Sequence, residues 1–106
     1  MQTFTITDLL LQQNQRDERY LEFLRVPALS MGLYVLPVGG VDGQKPHNED
    51  EVYVVVRGRA LINVADEDQV VEPGRIIFVA APVPHHFHHI SEELAVLVFF
   101  APAESE

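Results

Sequence analysis

Pro46-His47-Asn48-Glu49-Asp50-Glu51-Val52-Tyr53-Val54-Val55-Val56-Arg57-Gly58 is the stretch whose reading decides the fold. Its β-branched run prefers a pleated, packed environment, which places Glu51 at the start of a strand. Gly58, between Arg57 and Arg59, is read as the turn into the next strand. His47 precedes the strand in a segment made irregular by Pro46 and Asn48. On one straight strand, four steps of roughly 3.3 Å would hold His47 and Glu51 about 13 Å apart. Metal bonds of about 2 Å cannot join them at that distance. A bend between Asn48 and Asp50 would bring them together.

A second stretch, Pro73 to Ile90, answers the first. A Pro-Gly turn leads into the apolar run Ile76-Ile77-Phe78-Val79, then a corner punctuated by Pro82 and Pro84, then His85. This strand-turn-strand order delivers His85 toward the same place as His47 and Glu51.

Together the two stretches resemble the paired cupin motifs, G-x5-H-x-H-x3-E-x6-G and G-x5-P-x-G-x2-H-x3-N. Gly39, His47, Glu51 and Gly58 fill their places in the first, and Gly74 and His85 in the second. Four places depart: Lys45 stands for the first histidine, Ala80 for the proline, Pro82 for the glycine and His89 for the asparagine. The resemblance spans about Gly39 to Ile90. It implies an all-β, cupin-type jelly-roll barrel, and much less about activity, because this fold carries many chemistries.

Outward from the motifs, Thr3 to Ile6 reads as a short strand. Thr7 or Asp8 then caps a short N-terminal helix through Leu9-Leu10-Leu11, which lies against the barrel or a partner subunit. Arg19 to Arg25 fits a helical face or a strand, and the resemblance favours a strand ended by Pro27. Leu29 to Leu36 is a strand, followed by a long loop. Glu51 to Arg57 and Arg59 to Ala65 form a hairpin. Gln69 to Val71, Arg75 to Ala80, Pro84 to Ile90 and Leu94 to Ala101 complete about eight strands. Several are apolar on both faces, so a helix, another sheet or a second copy must cover the outer one. A homodimer is expected on that ground.

The 106 residues suit a single domain, 1–106, with one modest core. With no cysteine, disulfides and zinc-thiolate sites are ruled out. A net charge of -9 argues against nucleic acid and anionic membranes as partners. The acidic Glu104-Ser105-Glu106 end reads as solvated surface. No apolar run reaches membrane-span length and no signal-peptide layout is present, so a cytoplasmic protein is expected. The glycine-rich loop Gly39 to Gly43 lacks the Lys-Ser/Thr of a phosphate-binding loop.

His47, Glu51 and His85 make a two-histidine, one-carboxylate set suited to a divalent ion: iron, manganese, nickel, cobalt or zinc. Taken singly, each has a bland reading as a surface histidine, a strand-start glutamate and a loop histidine. Gln44 is a further ligand through its amide oxygen, and His89 a replacement ligand or a partner of one. Lys45 either points to solvent or offers its charge to an anionic substrate. Tyr53 shares a strand face with Glu51 and is either a packed barrel residue or a phenol near the metal. Phe78 and Phe87 are expected to wall an apolar pocket for a small organic molecule, joined by Met31 and Tyr34. His86 and His88 point outward. The resemblance implies a metal-binding protein of the small dioxygenase-like kind, an isomerase, or a non-catalytic module that binds or senses a small molecule.

Overall fold

The computed structural model describes residues 1–105. Helix α1, Ile6–Asn14, begins where the Thr5 hydroxyl accepts the Asp8 amide at 3.1 Å. That bond satisfies one of the amides a helix start leaves unpaired, and it places acidic Asp8 in the first turn. The cap is therefore Thr5 rather than Thr7 or Asp8, and no strand forms at residues 3–6. At the other end the buried Gln13 amide donates to the carbonyls of Glu18 and Arg19, tying the helix to the strand that follows.

The strands are β1 (Tyr20–Val26), β2 (Leu29–Leu36), β3 (Asp50–Val64), β4 (Glu67–Val71), β5 (Ile76–Val79) and β6 (His85–Ala101). All pairings are antiparallel, in the order β1-β2-β6-β3-β4, with β5 also on β3. No hairpin forms at Gly58. β3 continues through it without a break, and β6 likewise unites two segments expected to be separate, so six strands replace the expected eight. The reason lies at Gly58, whose φ is +98° and whose added Cβ would run into the backbone of Glu93 and Leu94. The residue lets two strands cross closely, and the β3–β6 register shifts there. Before the crossing β3 lies between β5 and the end of β6. After it, β3 lies between β4 and the start of β6.

The barrel is filled by inward residues of these strands, among them Tyr53, Val55, Ile62, Phe87, Val96 and Phe100. A second cluster lies outside the sheet, where Leu9 of α1 meets Leu21, Leu33 and Ala95, with Leu97 and Val56 at its margin. The helix thus covers the outer face only over β1, β2 and the neighbouring part of β6. Phe78 pairs with Val52 and Ile76 with Val54, so these four share the outer face. Ile76 and Phe78 are 69% and 62% exposed.

The crossing makes a direct prediction for stability. Gly58→Ala adds a Cβ at positive φ against backbone that cannot yield, and should cost at least ~2 kcal/mol, lowering the melting midpoint by roughly 10 °C. Gly43→Ala, with nothing within 4 Å of its Cβ, should melt within a few degrees of the parent. Equal melting of the Gly58 variant and the parent would contradict the crossing.

Candidate metal centre

Three separate segments build the centre. Val79 sits opposite Glu51 across β5 and β3, so residues 80–84 need only turn once to return His85 over Glu51. Asp50 holds that turn by accepting the Ala81 amide at 3.0 Å, and the Val83 amide closes it on the Ala80 carbonyl. The chain bends at Asn48 and Glu49, as the metal reading requires, and swings His47 in from the loop before β3. Buried Asp42 organises that loop by accepting the Tyr34 hydroxyl (2.7 Å), the Gln44 side-chain amide (2.6 Å) and the Phe87 backbone amide (2.9 Å). As a result one ligand atom from each of His47, Glu51 and His85 lies within 4.8 Å of the others.

The tautomers are set by what each ring gives away. His85 Nδ1 donates to the Val83 carbonyl at 2.9 Å, leaving Nε2 as a lone pair 2.8 Å from Glu51 Oε1. His47 Nδ1 donates to Glu104 Oε2 at 3.3 Å, and its Nε2 faces Gln44 Oε1 at 3.2 Å and Glu51 Oε1 at 4.0 Å. Glu51 is 2% exposed, and its Oε1 has no aligned donor despite the short distance to His85. No aligned donor reaches the buried Glu51 Oε1, so a proton shared with His85 or a cation would offset this crowding of acceptors. Two imidazoles and a carboxylate fit a divalent transition ion.

The nearby carboxylates draw positive charge, whether a proton or a metal ion. The Glu104 carboxylate, helped by Glu51, holds the His47 pKa above its ordinary value. For His85, burial pushes the pKa down, but Glu51 and the Val83 carbonyl more than offset it, so the net shift is upward. Acid therefore places protons on the atoms that would hold a metal, so any metal bound there would be released as pH drops. Burial, then the Glu51 charge, keeps the Tyr53 phenol protonated well above its usual range. Its hydroxyl donates to Gln44 Oε1 at 3.1 Å and stands 3.1 Å from His85 Nε2.

A cavity of about 200 Å³ opens beside the cluster. Gln44, Tyr53 and Tyr34 line it as expected, along with Tyr20, Phe100 and Glu104. Other expected residues lie elsewhere. Lys45 is exposed and takes no place in the cavity wall. Phe78 faces outward because alternation along β5 turns Ile77 and Val79 inward instead. Phe87 is buried in the barrel core, its ring 4.9 Å from Tyr53, beneath the site rather than walling it. Met31 pairs with Phe99 on the outer face. His89 is exposed at φ 49°, a break in alternation that gives the next inward place to Ile90. His86 is exposed, and His88 reaches Asp68 at 2.9 Å, away from the centre.

Sequence reasoning missed Glu104, Asp42 and Tyr20. The tail containing Glu104 is not free in solvent. The Glu104 amide donates to buried Ser30, its carbonyl accepts from Arg25, and the Ser105 amide donates to buried Glu49. The Ser30 bond follows from the β2–β6 pairing, which sets residue 30 against residue 100, and the Arg25 and Glu49 bonds from the strands flanking it, so no local pattern announces them.

The Cupin domain family model matches residues 32–101. An uncharacterized protein of Streptomyces coelicolor is 50% identical over 105 residues, spanning 99% of this chain and all of that one. Among solved structures, a Thermus thermophilus protein superposes with a TM-score of 0.77 at 24% identity, covering 97% of this chain and 99% of its own. An RmlC-like cupin with a double-stranded β-helix fold from Methanocaldococcus jannaschii gives 0.71 at 20% identity, covering 82% and 84%. Likeness at such identities speaks for fold alone, and the jelly-roll barrel agrees with it. With two thirds of its length under the family model, the chain belongs to the cupin domain family.

Proposed function

We propose that this cupin binds a divalent transition metal through Nε2 of His47, Nε2 of His85 and the Glu51 carboxylate, and uses it on a small organic molecule in the adjacent cavity. The observation that carries this reading is the buried Glu51 oxygen facing two imidazole lone pairs with no donor between them. Three protein ligands leave positions for substrate, the pattern of dioxygenase-like oxidoreductases; the ion would supply Lewis-acid and, if iron, redox chemistry. The chain's own groups do the rest. Gln44 and Asp42 hold Tyr53 in place as a protonated phenol, and Phe100 and Val98 give the cavity an apolar wall. A binding or sensing module without turnover is the alternative.

Elemental analysis of untagged protein checks the metal, and oxygen uptake the chemistry. His47→Ala and His85→Ala should each lose stoichiometric metal, while His86→Ala and His88→Ala keep it. Iron-loaded protein should consume oxygen with a small enediol, catechol or dicarbonyl compound, and Glu51→Gln should not. Full metal retention in both inner variants would refute the site. Metal binding without oxygen uptake across a broad panel would leave the binding module as the better account.

We further propose a homodimer in which a second copy covers the strip that α1 leaves open, Val52 and Val54 with Ile76 and Phe78. Its support is continuity, because the strip prolongs the face that α1 already buries. Light scattering at micromolar concentration should give twice the chain mass, and Phe78→Lys should reduce it to one. A monomeric parent would contradict the dimer.

A further inference from the structure

The cavity wall carries information about what it takes. Among the described residues, Tyr34 spends its hydrogen on Asp42 and Tyr53 spends its own on Gln44. Tyr20 differs: its ring lines the same cavity, and its buried hydroxyl has no partner. Its placement is built in, since the ring lies across Gly32, where any Cβ would sit inside it, and edges against Tyr34 at 6.2 Å. Glu104 meets His47 through one oxygen and faces the cavity, and a carboxylate has lone pairs for further donors. A hydrogen-bond donor without an acceptor and an acceptor with spare capacity thus stand on one wall, with Val98 and Phe100 as apolar surface.

Charge narrows the choice. Among the described residues, the formally charged carboxyl groups lining the cavity are Glu51 and Glu104, and no lysine or arginine lines it. These two carboxylates balance a divalent ion, and buried Asp42, behind Tyr34 and Gln44, adds a further negative charge, so an incoming anion would deepen a buried negative charge. A neutral molecule adds none. At about 200 Å³ the space is below the roughly 300–1,000 Å³ of sites for drug-sized ligands.

Resting on the metal reading above, we infer that this cavity selects a small neutral hydroxyl-bearing molecule over a carboxylate of the same shape, with Tyr20 donating to its oxygen and Glu104 accepting from its hydroxyl. The expectation that Lys45 offers its charge to an anionic substrate is thereby set aside, because that lysine is outside the cavity.

Lactamide and lactate form a neutral and an anionic pair of nearly equal shape. Cobalt content is measured first, then calorimetry and the cobalt visible spectrum follow each compound, with free cobalt ion as the reference. The loaded protein should reverse the free ion's preference and bind lactamide at least about tenfold more tightly than lactate. Tyr20→Phe, which touches neither histidine, should load cobalt fully and lose about tenfold in lactamide affinity. Glu104→Gln should swing the preference back toward lactate. A lactate preference equal to that of free cobalt, or lactamide affinity unchanged in Tyr20→Phe, would overturn the inference while leaving the metal site standing. Absence of stoichiometric cobalt in the parent protein, seen before any ligand is added, would instead remove the metal reading and this inference with it.

Discussion

Strand β3 has to serve both ends of the barrel, and the close crossing at Gly58 is what allows it. Glu51 at its start pairs with Phe100, and Val64 at its end pairs with His85. Thirteen residues of straight strand would span roughly 43 Å, yet Glu51 Oε1 and His85 Nε2 are 2.8 Å apart. A bend where backbone meets backbone, possible only without a Cβ, folds the two ends of the strand toward each other. The ligand cluster, the cavity and the Tyr53–Phe87 contact beneath it all lie inside that fold.

Within the cluster the second constraint is hydrogen allocation. Each imidazole gives its Nδ1 hydrogen outward, one to a backbone carbonyl and one to a carboxylate. The inward ring nitrogens then stand as acceptors around a buried carboxylate oxygen, while the Tyr53 hydroxyl beside them donates to Gln44. A buried acceptor without a donor or a cation to face keeps its desolvation cost with nothing to offset it. The tail residue Glu104 belongs to this arrangement as much as the residues of the two motifs, since it fixes which nitrogen of His47 looks inward.

The parts of the fold legible in the sequence are those set by local chemistry. β2 appears as expected at Leu29–Leu36, and the Pro27 stop holds. His47, Glu51 and His85 converge because motif spacing encodes two short turns. The errors came from distance. Gly58 reads as a turn locally, and only its closeness to Glu93, thirty-five positions away, makes it a crossing. Phe78 looks like a pocket wall until the register of β5 sends it outward. His89 follows alternation until a positive φ breaks it. Glu104 reads as a solvated end because nothing near it in sequence shows the buried Ser30 and Glu49 that hold its segment.

The central claim is that these lone pairs face a metal ion. A crystal of untagged protein grown with cobalt, measured on both sides of the cobalt absorption edge, tests it most directly. The account predicts one full-occupancy anomalous peak about 2.0–2.2 Å from Nε2 of His47, Nε2 of His85 and an oxygen of Glu51. A peak confined to His86, His88 and His89, or density at the centre explained by a proton-shared Glu51–His85 pair alone, would contradict it.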